Sequence, residues 1–405
     1  MANLKEKGKK VARFFGLNPS MIAVLGMAIL VGLGERLGER FVPKYLEVLG
    51  SGIFIIGLYG AMDNLLSALY AVPGGWLSDK LGTKKALLCF NLFAMIGYAI
   101  VILFPVWEAV IVGAVFFTAW ESLSLPATMG LVSEVLPDRK RTMGVTMHSL
   151  VRRIPMALGP VIGGALIMAY GVTDGIRLAF VIAFGTGLVS IVVQQTMIKP
   201  PRERKPYEPM HVVALWRRMQ PGLKQLLLGD ILIRFCEQIP YAFVVLWVMD
   251  IAGHSAGDFG MLTAIEMATA VLIYLPVAYF ADRTGKKPFV VITFGFFTLF
   301  PLLLMQAVSL WWLVVVFVVR GLKEFGEPTR KALIVDLCDP NAKARMFGAY
   351  YFIRDGVVTL AALLGAWLWM LNPEWNLWVA FGFGVVGTIY FAIFGKDAPK
   401  SSNEQ

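Results

Sequence analysis

Apolar stretches of roughly 20 residues, long enough to cross a ~30 Å hydrocarbon core, recur along this chain from Met21 to Phe394 with only short polar breaks. Each is a transmembrane helix candidate. The expected spans are 20–45, 52–78, 86–105, 107–135, 144–170, 176–197, 222–250, 257–281, 288–307, 309–337, 346–371 and 375–395, twelve in all. A length of 405 residues would suit two or three soluble domains, but 58% hydrophobic residues, 16% charged residues and a mean hydropathy of +0.69 exclude that organisation.

The formal charge of +10 raises the question of nucleic-acid binding, and the placement of the basic residues answers it. With a cytoplasmic N-terminus, Lys5, Lys7, Lys9, Lys10 and Arg13 lie inside. So do Lys80, Lys84 and Lys85, then Arg139, Lys140 and Arg141, then Lys199, Arg202, Arg204, Lys205, Arg217 and Arg218. Arg283, Lys286 and Lys287, Lys343 and Arg345, and Lys396 and Lys400 complete that side. The opposite loops hold little beyond Lys44 and Arg177. This is the positive-inside bias. It places both termini in the cytoplasm and makes the basic balance topological, with no nucleic-acid partner expected.

Cys89, Cys236 and Cys338 fall within or at the ends of spans and suggest no disulfide framework. His148, His211 and His254 have no metal-ligand spacing, so no metal is expected. The N-terminal basic segment leads into a stretch too long and too charged near its end for a cleaved signal peptide, and it reads as the first span. The Pro- and Arg-rich segment 199–221 separates two halves. The expected organisation is a cytoplasmic segment 1–19, a six-helix bundle 20–198, a linker 199–221, a second six-helix bundle 222–395 and a cytoplasmic tail 396–405.

The halves are repeats. "MDNLLSALYAVPGGWLSDKLGTKK" aligns with "IEMATAVLIYLPVAYFADRTGKKP" at an offset of 203, pairing Asp63 with Glu266, Pro73 with Pro276, Asp79 with Asp282 and Gly82 with Gly285. "LPATMGLVSEVL" aligns with "EPTRKALIVDLC" at an offset of 202, pairing Pro126 with Pro328 and Glu134 with Asp336. More loosely, "GERLGERFVP" resembles "GDILIRFCEQIP". Such a six-plus-six duplication describes two similar bundles with a substrate site near the midplane.

The polar island after the second span resembles the signature of the major facilitator superfamily, G-x-x-x-D-R/K-x-G-R-R/K. Gly75, Asp79, Lys80, Gly82, Lys84 and Lys85 occupy its positions, with Thr83 where a basic residue is common. The repeat keeps Asp282, Arg283, Gly285, Lys286 and Lys287 but has Ala278 at the first glycine. The resemblance implies an all-α membrane fold of twelve helices in two pseudo-symmetric bundles. It also implies a cytoplasmic gate in which Asp79 locks onto the fifth span or the other bundle, with Glu134 and Arg141 completing a charge relay and Asp336 and Arg345 as repeat counterparts. The lysines equally satisfy the topological bias. Gly159, Pro160, Gly163 and Gly164 resemble the Gly-Pro motif of the superfamily's exporters, with Pro155 in place of an upstream glycine; simple close packing of helices explains them as well.

Ionisable residues at membrane depth are functional candidates. The first span has Glu35, Arg36, Glu39 and Arg40, whose spacing of four predicts two mutually neutralising stripes. The seventh has Asp230, Arg234 and Glu237. In the tenth, Arg320 with Glu324 and Lys323 with Glu327 repeat the spacing. Arg152 and Arg153, and Arg354 with Asp355, are further candidates, and any one of these could be a structural ion pair. Charges of both signs suit a polar, charged or zwitterionic solute. Coupling to protons requires a carboxylate that titrates under desolvation. Glu121, with no acid or base within a helical turn, ranks first, followed by Glu35, Asp63 and Glu266. Glu39, Arg40 and Phe41 also match part of the E-x-x-E-R-F-x-Y-Y motif of proton-coupled peptide transporters, while Arg36, Pro43 and Lys44 depart from it.

The expected protein is a secondary transporter of a small organic solute, embedded as a monomer in lipid, driven by the proton gradient without a cofactor. The expected location is a bacterial or archaeal inner membrane. Export is favoured over import or uniport of a sugar, organic anion or peptide. A non-transporting receptor with the same fold is the rival from another class. No nucleophile, metal cluster or phosphate-cradling loop points to an enzyme.

Overall fold

The computed structural model describes residues 19–118, 120, 138–197, 212–339 and 343–397, and the side chains within them except at 19–21, 23, 24, 71–76, 78, 79, 83, 138–150, 274–276, 278–284 and 343–345. The described elements are helices: α1 Pro19–Gly38, α2 Val42–Val48, α3 Ile53–Leu81, α4 Thr83–Leu103, α5 Trp107–Phe117, α6 Asp138–Met197, α7 Val212–Arg218, α8 Pro221–Tyr241, α9 Ala256–Thr284, α10 Lys287–Met305, α11 Leu310–Leu322, α12 Glu327–Asp336, α13 Lys343–Leu371 and α14 Pro373–Phe394. Each expected span contains a described helix, the fourth through Trp107–Phe117, beyond which 121–135 lie outside the described residues. Seven of the described helices, or eight with a bent pair counted as one span, are long and apolar enough to cross a membrane unaided.

Where spans and helices differ, the backbone gives the reason. Spans five and six are both in α6, which is interrupted at Gly171 (φ +80°, ψ 170°). Such a conformation suits glycine alone. Gly175 then lies against Leu166 and Ile167, so the chain doubles back within a few residues. The first span breaks into a 3₁₀ turn at Glu39–Phe41, followed by α2 with a proline in its first turn. The seventh continues past Tyr241 into Val244–Ile251 at a 45° bend that follows Pro240. The tenth is two short helices, α11 and α12, joined by turns at 323–326. Several helix starts are fixed by local chemistry. Ser255 and Asp258 form a capping box at α9, Ser309 Oγ accepts from Trp312 N at 3.3 Å, and Asn372 Oδ1 accepts from Glu374 N at 2.8 Å.

The chain divides into two compact units, Met1–Gly50 with Leu66–Glu208, and Ser51–Leu65 with Pro209–Gln405. The first part of α3 therefore packs with unit 2. Gly57 lies against Ala362 and Ala366 of α13, Gly60 against Ala242 and Ala362, and Asn64 Nδ2 donates to Gln238 Oε1 at 3.3 Å. Of the expected linker, residues 199–211 lie outside the described residues and Val212–Arg218 forms α7.

Each unit contains the same glycine-mediated helix approach. In unit 1, Gly159 sits against the backbone of Arg36, and Gly163 against the carbonyl of Leu37. In unit 2, Gly365 of α13 sits against the carbonyl of Ile239 in α8. An offset of 202 relates Leu37 to Ile239 and Gly163 to Gly365. A side chain at either glycine would meet backbone, which cannot rotate away. Gly163→Val and Gly365→Val are expected each to lower stability by roughly 1–3 kcal/mol, measured as thermal unfolding in detergent. Gly356→Ala, whose added methyl group would meet nothing within 4 Å, is the unaffected control.

Candidate functional site

Asp230, Arg234 and Glu237 are four and three residues apart, which places them on one stripe of α8. Arg320 lies in the last turn of α11, Lys323 opens the turns that follow, and Glu327 and Arg330 share one face of α12. Inside unit 2 these residues meet, with Glu266 of α9 and Tyr350, Arg354 and Asp355 of α13 joining them. Arg354 Nη2 lies 2.7 Å from Asp355 Oδ1 and its Nη1 3.5 Å from Asp230 Oδ2. Arg330 pairs with Asp230, and its Nη2 is 2.7 Å from Glu327 Oε2. Arg234 Nη2 is 3.6 Å from Glu327 Oε2 and Nη1 2.5 Å from Glu237 Oε2. Lys323 Nζ lies 2.8 Å from Glu237 Oε1 and 3.5 Å from Glu266 Oε1, which Arg320 Nε also approaches at 3.5 Å.

The result is one chain of alternating sign. The cations Arg354, Arg330, Arg234, Lys323 and Arg320 alternate with the carboxylates Asp355, Asp230, Glu327, Glu237 and Glu266, equal in number, so this chain is neutral as a whole. Lys331, an exposed side chain, touches it from outside, with Nζ 3.3 Å from Glu327 Oε1. Tyr350 Oη donates to Asp230 Oδ2 at 2.9 Å. Aromatic rings line the cations. Phe300, Phe317 and Tyr241 stand 4.9, 5.4 and 5.9 Å from the Arg320 guanidinium, and Phe297 stands 5.5 Å from that of Arg234. Accessibility alternates along the chain: the Asp355 and Arg234 side chains are 20% and 19% exposed, whereas those of Asp230, Arg330 and Glu266 are at 1% or below. A charged ligand reaching the open members must exchange pair for pair, because stripping a buried charge of its partner is strongly unfavourable.

One reading based on a spacing of four is corrected. Lys323 pairs with Glu237 and Glu266 instead of Glu327, because the turns at 323–326 end helical stacking between α11 and α12. In the first span Arg36 pairs with Glu39, three residues on, across the two expected stripes. Glu35, Arg36 and Arg153 lie within electrostatic reach of Arg152, so unit 1 gathers its own charges beside Gly159. Arg40, Arg152, Arg153 and Glu324 are half-buried. The repeat partners Asp63 and Glu266 differ: Asp63 is exposed and Glu266 fully buried. Pro160 and Gly164 are buried in α6. Glu121 and Glu134 lie outside the described residues, as do the side chains of Asp79, Arg141, Asp282, Arg283 and Arg345, while Gly75 is part of the α3 backbone.

The two signature loops share a backbone turn. Gly82 (φ +82°, ψ 150°) and Gly285 (φ +100°, ψ 156°) adopt a conformation that disfavours any side chain. Lys80 is exposed, Lys84 Nζ donates to Gln195 O at 2.6 Å, and Lys286 pairs with Asp336. The major facilitator superfamily model matches residues 24–226 and 226–405. The chain belongs to the Major Facilitator Superfamily.

Among superfamily members, an uncharacterized MFS-type transporter of Bacillus subtilis is 25% identical over 152 residues, so that the match spans 37% of each protein. The class C tetracycline resistance protein of Escherichia coli is 24% identical over 353 residues, 82% of this chain and 85% of that protein. A solved mutant of the nucleoside transporter NupG shares the fold with a TM-score of 0.78 at 14% identity, covering 94% of this chain and 100% of that one. The superfamily fold accounts for the lipid environment and a small-molecule substrate.

Arg330 and Tyr350 were not among the sequence candidates, although Arg330 continues the stripe from Glu327. Arg330→Met is expected to cost about 3–5 kcal/mol by leaving Asp230 buried without its closest cation. The double variant Asp230→Asn/Arg330→Met should recover a large part of that loss in a detergent unfolding assay, and simple addition of the two single losses would show the pair to be uncoupled.

Proposed function

We propose that this superfamily member is a secondary active transporter that moves a small polar or charged organic solute by alternating access, couples it to protons, and works in export. The alternating ion chain of unit 2 carries the reading. A neutral network of buried charges gains nothing from an apolar ligand but responds to any added charge, whether on a solute or on a proton, by repartnering. Glu266, buried between Arg320 and Lys323, joins Glu121, Glu35 and Asp63 as a coupling acid. The remaining cavity candidates, among them Glu39, Arg40, Arg234 and Glu237, contact the solute.

Export is supported by the likeness to a tetracycline resistance protein, since a transporter confers resistance by lowering the internal concentration of a compound. The glycine contacts of α6 with α1 are consistent with the exporter-type motif. The protein acts as a monomer without enzymatic activity, cofactor or nucleic acid, in a bacterial or archaeal inner membrane. The basic bias of alternate loops supports cytoplasmic termini.

The deciding experiment is flux into proteoliposomes under an imposed pH gradient, with solutes scanned by class. Gradient-dependent movement of a charged or polar solute is expected; if no solute moves and no proton flux accompanies any of them, the transport reading is wrong. Glu121→Gln and Glu266→Gln should each abolish gradient-driven accumulation while sparing solute counterflow. Unchanged accumulation removes that acid from coupling.

A further inference from the structure

The start of α10 takes a cap from a distant part of the chain. α10 starts at Lys287 with a proline in its first turn, and the residue at the cap position, Lys286, provides no side-chain acceptor. The first N–H groups of a helix need an acceptor and favour a negative charge. The acceptor comes from 110 residues along the chain. Leaving α14 at Phe394, the backbone turns extended at Gly395 (φ −60°, ψ 142°), and Lys396 passes beside Gly222 at the start of α8. The Asp397 carboxylate then accepts from Lys286 N at 3.0 Å through Oδ2 and 3.3 Å through Oδ1, and from Lys287 N at 3.2 Å through Oδ2. It occupies the space beside Gly285, where a methyl group would come within 2.7 Å of Oδ2. Lys286 is thus held twice, by its amide to Asp397 and by its ammonium to Asp336.

The first repeat makes a related contact with different chemistry. The offset of 203 relates Asp397 to Gln194. Gln194 Nε2 donates to Lys84 O at 2.7 Å, and its Oε1 accepts from Asn91 Nδ2 at 2.9 Å. In both units the end of the last span reaches back to the signature loop, through a neutral amide in unit 1 and a carboxylate in unit 2.

We propose that Asp397 is a positioning residue of the α9–α10 signature loop, supplying a charged cap from the C-terminal segment. Its carboxylate holds this copy of the loop closed on the end of α12. The consequence for gate movement rests on the transport reading; the positioning itself does not.

The test is hydrogen–deuterium exchange with peptide resolution on the full-length protein in nanodiscs, which needs no substrate. In Asp397→Ala the amides of Lys286 and Lys287 should exchange roughly tenfold faster, the loss expected for a charge-assisted bond in a locally opening turn. Asp397→Asn should be intermediate, since its Oδ1 accepts without the charge, and Asp397→Glu should restore most of the protection. Reaction with N-ethylmaleimide supplies the second readout: Cys338, two residues beyond Asp336 and buried, should label faster in Asp397→Ala, with Cys236 in the core of unit 2 unchanged. Unaltered exchange at Lys286 and Lys287 overturns the proposal. So does faster exchange spread through α8 with faster Cys236 labelling, which is global loosening. A failed flux assay alongside the expected exchange pattern would overturn the transport reading and leave the cap standing.

Discussion

Asp230 and Arg330 are each about 1% exposed, and an aspartate at that depth persists only if every lone pair it presents is answered. The answers come from three helices: Arg330 on α12, Tyr350 and Arg354 on α13, and Arg234 on α8 itself, 3.9 Å away. Sliding any of the three helices would strip a buried charge of its partner. The remaining ion pairs extend from this knot, on one side to Asp355 and on the other through Glu327, Arg234, Glu237 and Lys323 to Glu266. Further along the same two helices, Gly365 lets α13 approach α8 backbone to backbone.

Duplication preserved backbone contacts and let side-chain chemistry diverge. The Gly163–Leu37 and Gly365–Ile239 approaches and the positive-φ turns at Gly82 and Gly285 recur because helix separation and turn sterics leave no alternative. Asp63 and Glu266 share an ancestral position, yet one is exposed and the other buried between cations. Gln194 and Asp397 reach equivalent loops with an amide and a carboxylate. A scaffold built twice can thereby hold chemically different sites.

Much of the site was legible. Asp230, Arg234, Glu237, Glu266, Arg320 and Lys323 announce themselves as charges in apolar surroundings, a signal that depends only on local composition. Arg330 sits near the end of its span, where a basic residue is also a topological marker, and this conceals its burial. Asp397 carries no signal in its own neighbourhood; its role exists only because α14 ends beside α10.

The sequence by itself determined the membrane class, the succession of spans, the duplication and the inventory of intramembrane charges, because hydrophobic length, loop charge and internal similarity are properties of the chain read in order. Tertiary structure decided which charge meets which. Lys323 lies four residues from Glu327 yet pairs with Glu237 and Glu266, since the helix opens at 323–326 and its stripe turns toward α8 and α9. Pair formation is set by helix breaks and crossings, and those follow from packing that no linear spacing records.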